Sequence, residues 1–232
     1  MEKVSLSVFF PCYNEEKNIG TLLDKTLEFI PTIASDYEII VVDDGSSDGT
    51  LKIAQSYSIK NPQIKVVRHE TNKGYGAALK TGFEHSEKDY IFFTDGDNQF
   101  EISELTRFLP YLRDFDIVAG YRIKRRDNFQ RRLNAKSFRL LVQVLFGLKI
   151  TDLNCAFKIF KREVVKNLEI KSSGAFINAE VLIRAMKKGY KMKEVGVNHY
   201  PRQWGTQTGA HPKVILRAFK ELFELRNELK EN

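Results

Sequence analysis

Four apolar residues in unbroken succession, in Glu38-Ile-Ile-Val-Val-Asp43, restrict the fold of this chain more than any other feature. A strand with one face in water alternates apolar and polar residues, whereas a short continuous run belongs to a strand buried on both faces. Such strands occur in parallel sheets with helices packed on either side. Residues 4–11, 64–68, 90–94 and 116–120 read as further strands. Helical patterns lie between them, over 14–30, 47–60 and 76–85 and from Ser103 onward. The first carries Ile19, Leu22, Leu23, Leu27 and Ile30 on one face. The second opens with Ser47 or Asp48 as its cap. Strands alternating with helices predict an α/β fold with a mostly parallel sheet flanked by helices. After Gly120 the pattern loosens into an amphipathic helix over 135–147, a strand over 155–160, a helix over 179–188 and a strand over 192–199. A last amphipathic helix begins near Pro212. With no repeat, low-complexity stretch or linker, the 232 residues read as a single domain.

Composition excludes several classes. No run reaches the roughly 18 apolar residues of a membrane-spanning helix, and the start of the chain lacks a basic-then-apolar leader. Cys12 and Cys155 are too few for a disulfide framework or a cysteine zinc site, so both read as buried thiols in a reducing, cytoplasmic setting. No spacing among His69, His85, His199 and His211 suits metal ligation. The net charge is +7, and between Arg122 and Arg139 eight cations face one acid, an excess equal to that of the whole chain. A uniformly basic protein would suggest nucleic acid. One concentrated cluster points to a local anion instead, a phosphate or a membrane surface.

Open parallel sheets bind ligands beyond the carboxyl ends of their strands. Those ends here are Pro11-Cys-Tyr-Asn-Glu15, Asp43-Asp-Gly-Ser-Ser-Asp-Gly49, Asn72-Lys-Gly-Tyr-Gly76, Asp95-Gly-Asp-Asn-Gln99 and Gly120-Tyr-Arg122. Asp95 and Asp97 carry the sharpest signal. Like charges in one site raise each other's pKa, and a hard divalent cation with oxygen ligands relieves the conflict. Gly96 lets the backbone turn tightly or approach a ligand. Asp-Gly is also a common turn signal, but chance turn chemistry does not account for polar, acidic and glycine residues at all five ends. No G-x-G-x-x-G follows the first strand and no G-x-x-x-x-G-K-[ST] occurs, which excludes a dinucleotide fold and a P-loop hydrolase. An aspartate after strand two can accept hydrogen bonds from a base or ribose, and paired aspartates after strand four can hold a metal on a diphosphate. Together they fit a nucleotide diphosphate bearing a further group.

In order and spacing, the first four of these motifs resemble family 2 glycosyltransferases of the GT-A fold. Gln99, Gly120-Tyr-Arg122 with its basic continuation, Asp152-Leu-Asn-Cys-Ala-Phe-Lys158 and Arg202-Gln-Trp-Gly-Thr206 narrow the resemblance to the dolichyl-phosphate mannose synthase type, the polyprenyl-phosphate hexose synthases. It covers residues 4 to about 210. The resemblance implies a Rossmann-like nucleotide-sugar half over 1–120, an acceptor half over 121–211 and a C-terminal helix over 212–232. Pro11, Tyr13, Glu15 and Asp44 would surround the base and ribose of a UDP- or GDP-hexose, with Lys73 near the nucleotide. Asp95, Asp97 and Gln99 would ligand Mg2+ or Mn2+ on the diphosphate, with Gly96 between the two carboxylates, and Arg202 would reach that diphosphate from a C-terminal loop. Arg122, with Arg131 or Arg132, would receive the phosphate of a polyprenyl acceptor in a single inverting displacement.

A lipid phosphate is anionic near neutral pH and attacks without a general base, whereas an alcohol needs one. Where hydroxyl-transferring relatives carry an aspartate base, this chain has Asn178. Glu180 and Asp152 remain as alternative bases, and with one of them the acceptor would be a hydroxyl of a glycan, protein or small molecule. Relatives often append membrane helices, which are not found here, so lipid contact is assigned to the basic segment and to an apolar helix face carrying Phe138, Leu141, Leu145 and Phe146. That reading places the protein peripherally on the inner face of a membrane. Relatives also often end the Arg202 loop in Arg-x-x-Gly-x-Ser, a pattern that falls here on Gln207, between Thr206 and Thr208.

Overall fold

The computed structural model describes residues 3–123, 129–205 and 212–231, and of residues 129–133, 212 and 231 the backbone alone. Along the chain run β1 (Val4–Cys12), α1 (Glu16–Ile33), β2 (Ala34–Asp43), α2 (Thr50–Lys60), β3 (Ile64–Arg68), α3 (Tyr75–Glu84), β4 (Tyr90–Thr94) and β5 (Ile117–Arg122). Then follow α4 (Phe129–Phe146), β6 (Phe157–Lys161), α5 (Arg162–Lys166), α6 (Ile177–Lys187), β7 (Met192–Val197) and α7 (Pro212–Glu231). One seven-stranded sheet has the order β3-β2-β1-β4-β6-β5-β7. Every neighbouring pair is parallel except those of β6, which runs antiparallel between β4 and β5. The chain winds outward from β1 through β2 to β3 and then crosses back to β4 on the other side of β1. The gap between β1 and β4 is therefore the switch point at which open sheets bind ligands.

Continuous apolar runs are buried as their composition demands: Ile39, Ile40, Val41 and Val42 are inaccessible, as are Phe92 and Phe93 to within a percent. Aromatic packing fixes β4 in the middle of the sheet. Phe9, Phe93 and Phe160 stack across β1, β4 and β6 at centroid distances of 5.4 and 6.2 Å, with the Phe83 ring of α3 edge-on to all three. Each such pair adds about 0.5–1.5 kcal/mol beyond its area burial. The strand end that delivers Asp95 is thereby held rigidly.

Local boundaries differ from the sequence expectations where tertiary packing overrides pattern. The helix expected from Ser103 forms only two 3-10 turns, Ile102–Arg107 and Leu109–Tyr111, the second containing Pro110. Asp48 accepts from the N–H and hydroxyl of Thr50 from one residue outside the α2 cap, which is Gly49. α4 starts at Phe129, six residues before its apolar periodicity. The apolar face of α4 assigned to a membrane is core: Val142 and Phe146 are buried, and Phe138 packs edge-on to Phe176 and Phe219 at 6.2 and 5.5 Å. Leu141 and Leu145 also pack against the core. Among the described side chains of α4, the large apolar residues that face water are Leu140 and Val144, 59% and 72% exposed. Both cysteines are buried free thiols, as composition implied. Among the described residues no helix is long and apolar enough to cross a membrane.

Candidate active site

At the switch point the segment after β1 meets the turn after β4. A Cβ on Gly96 would lie 2.6 Å from Cys12 Sγ, so glycine is required there for close approach. The turn thus sits directly on the end of β1, and Asn98, in the left-handed region at φ 57°, ties it down by donating from Nδ2 to the Asn18 carbonyl. Asp95 and Asp97 are held beside Glu15. Glu15 accepts from Asn18 Nδ2 at 2.6 Å, while its backbone N–H donates to Thr50 Oγ1 at 2.7 Å. Asp97 Oδ1 accepts from the Gln99 N–H at 3.1 Å. Gln99 Nε2 donates to the Tyr200 carbonyl and the Tyr200 N–H returns a bond to the Gln99 carbonyl, so Oε1 is the atom of Gln99 left to ligate a metal.

A segment far away in sequence closes over this cluster. Arg202 spans two carboxylates, from Nη2 to Glu15 Oε1 at 2.5 Å and from Nη1 to Asp97 Oδ2 at 3.2 Å. Its Nε donates to the Trp204 carbonyl at 2.6 Å, and Lys17 Nζ lies 4.7 Å from the Trp204 ring. Thr206, Gln207 and Thr208, which would complete the loop pattern, lie outside the described residues, as does His211.

Among the described residues the site is short of positive charge. Burial first, and then the charge of Asp97, push the Asp95 carboxyl up to about 7, against the Tyr75 hydroxyl and Lys158. Burial also raises Asp97 and Glu15, each pulled back in part by Arg202. The Cys12 thiol stands well above its ordinary range through burial and the summed charge of Glu15, Asp43, Asp95 and Asp97. Two carboxylates and a carboxamide oxygen form a hard donor set. Among the described residues no group of three or more His, Cys, Asp or Glu is arranged to hold a metal. A Mg2+ or Mn2+ ion at this pair would take its remaining ligands from phosphate and water, as Mg2+ commonly does.

Other expected nucleotide contacts fall on the same edge. Pro11 is buried at the end of β1, and Tyr13 is 45% exposed with its ring available for stacking. Asp44 is already engaged by its own fold, accepting from His69 Nδ1 at 2.6 Å and from the N–H groups of Lys73 and Gly74 at 2.9 Å each. It fixes the loop that carries Lys73, whose side chain is exposed.

On the other side of β6, Arg122 and Asp152 form a bidentate pair, Nε–Oδ2 at 2.6 Å and Nη2–Oδ1 at 2.8 Å. The guanidinium expected to meet an acceptor phosphate is therefore oriented by Asp152, the carboxylate weighed as a base in the sequence, both of whose oxygens accept from it. Arg131 and Arg132 lie in α4, with side chains outside the described residues, as are the structures of Lys124, Arg125 and Arg126. Glu180 is corrected as a candidate base. It is buried, paired with Arg184 at 2.7 Å and accepting from the N–H groups of Lys171 and Ser172, so its lone pairs are spent on structure. Asn178 does lie at the site, through a contact to Tyr75, whose hydroxyl donates to Asp95 Oδ1 at 3.0 Å.

Sequence reasoning missed Tyr75, Asn18, His69 and Lys158 as parts of the site. Lys158 left a signal: it is a cation set between Phe157 and Ile159 in the buried part of β6, and it is 1% exposed.

Residues 7–169 match the family model "Glycosyl transferase family 2". The undecaprenyl-phosphate 4-deoxy-4-formamido-L-arabinose transferase of Pectobacterium carotovorum subsp. carotovorum (strain PC1) is 29% identical over 215 residues, covering 91% of this chain and 64% of the relative. The dolichyl-phosphate beta-glucosyltransferase of Dictyostelium discoideum is 30% identical over 219 residues, covering 85% of this chain and 67% of the relative. The chain thus spans about two thirds of the length of these relatives. Among solved structures, glucosyl-3-phosphoglycerate synthase from Mycobacterium tuberculosis in complex with Mg2+ and UDP superposes with a TM-score of 0.74 at 16% identity, over 95% of this chain and 79% of that one. The sheet and its flanking helices are the GT-A arrangement.

Proposed function

This chain belongs to glycosyl transferase family 2, and we propose that it moves a hexose from a UDP- or GDP-sugar to a polyprenyl phosphate in one inverting displacement. The observation that carries this reading is the Asp95/Asp97 pair, buried at the switch point between β1 and β4, short of positive charge among the described residues and tied to Glu15 by an arginine that bridges Asp97 and Glu15. That is a site for a diphosphate with a divalent cation.

In this reading Pro11, Tyr13 and Glu15 bind the base and ribose, while Asp44 sets the Lys73 loop beside them. Asp95, Asp97 and Gln99 hold Mg2+ or Mn2+, which when bound offsets charge building on the leaving diphosphate. Arg202 releases Glu15 and Asp97 to pair with diphosphate oxygens, for which its planar fork is suited. Arg122, aimed by Asp152, binds the acceptor phosphate together with Arg131 or Arg132. An oxygen of that phosphate attacks the anomeric carbon, the bond from that carbon to the donor phosphate breaks, and the nucleoside diphosphate departs. No proton has to be removed from the nucleophile. This agrees with the groups weighed as a base: Asn178 has no basic atom, Glu180 is held by Arg184, and Asp152 is held by Arg122. Since the acceptor is a membrane lipid, the protein works at a membrane surface, peripherally, with the basic residues after Tyr121 toward anionic headgroups.

Thermal melting in the presence of UDP- and GDP-hexoses, with and without Mn2+, tests the donor half. One base should stabilise the protein only when Mn2+ is present, by roughly 5–10 °C at a hundredfold excess over Kd. Unchanged melting with every donor would overturn the assignment.

A further inference from the structure

Lys158 is a buried lysine, 1% exposed. Its ammonium lies in the sheet between the donor and acceptor sides of the site, and its three N–H groups meet three oxygens: the carbonyls of Leu153, at 3.2 Å, and of Cys155, and Asn178 Oδ1 at 3.2 Å. Since an ammonium only donates, it fixes the orientation of the Asn178 amide. The Nδ2 of Asn178 then faces Tyr75 Oη at 3.4 Å, and that hydroxyl, with its lone pair occupied, sends its proton to Asp95 Oδ1 at 3.0 Å. Every donor in the series points the same way. The sequence segments involved are brought together by backbone contact: a Cβ on Gly76 would lie 2.5 Å from the Ser173 carbonyl carbon, which seats the first turn of α3 against the entry to α6.

The same ammonium caps the carbonyls of the turn that begins at Asp152, the residue that orients Arg122. We infer that Lys158, Asn178 and Tyr75 are positioning residues: a one-way hydrogen-bond chain that presents the Asp95 carboxylate to its ligand and, through the 152–155 turn, sets Arg122 for the acceptor. Groups that orient metal ligands from behind typically change metal affinity or activity by about 10–100-fold when removed. This inference rests on the metal-dependent reading of Asp95 and Asp97 given above.

Tyr75→Phe removes one hydroxyl and leaves the ring, so it tests the chain without opening the core. Mn2+ binding followed by electron paramagnetic resonance, with UDP and with GDP and no acceptor present, should weaken about tenfold in Tyr75→Phe. Asn178→Asp should behave likewise, because a carboxylate cannot donate to Tyr75 and the hydroxyl proton is then divided between two acids. Lys158→Met should weaken Mn2+ binding and also raise KM for polyprenyl phosphate, which Tyr75→Phe leaves unchanged. Wild-type Mn2+ affinity in both Tyr75→Phe and Asn178→Asp, with melting temperatures unchanged, overturns the inference while the donor reading stands. A wild-type protein that binds no Mn2+ with either nucleotide overturns the donor reading itself, and the inference with it. Should Lys158→Met fail to fold, Tyr75→Phe and Asn178→Asp decide the matter.

Discussion

Asp97→Asn should cut glycosyl transfer by about 10²–10³-fold or more, the loss seen when one preorganised charge-stabilising group is removed from an active site. It should do so without loss of fold. Asp97 is buried among carboxylates, and burial raises its pKa, so the charged side chain costs the apo-protein stability instead of contributing it. Replacing it with a neutral isostere relieves repulsion with Asp95 and Glu15. The melting temperature should therefore stay level or rise while activity collapses, a trade common where a functional site is held under strain. Arg202 would keep one of its two carboxylate partners, Glu15. Measuring product formation and melting on the same preparation separates this outcome from simple unfolding. Near-wild-type turnover in Asp97→Asn would remove the carboxylate pair from the mechanism.

Arg202→Leu should lower kcat by a comparable factor, about 10²-fold, and lower kcat/KM with it. In the resting protein the guanidinium spans Glu15 and Asp97 and substitutes for positive charge that the pair lacks. With a divalent cation supplying that charge to the pair, Arg202 would be the described cation best placed to move onto the leaving diphosphate. An interaction that strengthens as the bond breaks acts on kcat, whereas one made equally to bound substrate acts on KM alone. Arg202→Lys keeps the charge and loses the planar fork, so it should fall between the two. The fluorescence of Trp204, the single tryptophan of the chain, reports the movement because the Arg202 side chain holds its carbonyl and Lys17 faces its ring. Its emission should change on addition of Mn2+ and the cognate nucleotide in wild type. A variant with raised KM and unchanged kcat would make Arg202 a binding residue only.

The sheet was legible because its strands are chemically unambiguous. Runs such as Ile39–Val42 have one way to be buried, and the acidic and glycine residues after them mark where each strand stops. The gathering of Glu15, Asp95, Asp97 and Gln99 followed for the same reason: they are near strand ends, and topology gathers strand ends. Legibility failed where a side chain's role depends on its partner. Asp152 and Glu180 read equally as bases in the sequence, and each proves to be held by an arginine, one 30 residues before it and the other one helical turn after. Tyr75 belonged to the Asn72–Gly76 strand end with no role of its own until α6 supplied Asn178. The apolar positions of α4 were identified correctly as a stripe and assigned to the wrong solvent, since periodicity shows that a face is buried without showing what covers it. Phe176 and Phe219 cover it.

Acceptor choice is the centre of the account, and one comparison addresses it. The protein would be incubated with its stabilising nucleotide-hexose, Mn2+ and either a polyprenyl phosphate or the corresponding polyprenol, and the organic-soluble product analysed for sugar and anomeric configuration. The account predicts a lipid-linked hexose from the phosphate alone, inverted at the anomeric carbon relative to the donor. Sugar appearing on the polyprenol, or on a soluble hydroxyl acceptor while the polyprenyl phosphate remains untouched, would contradict it.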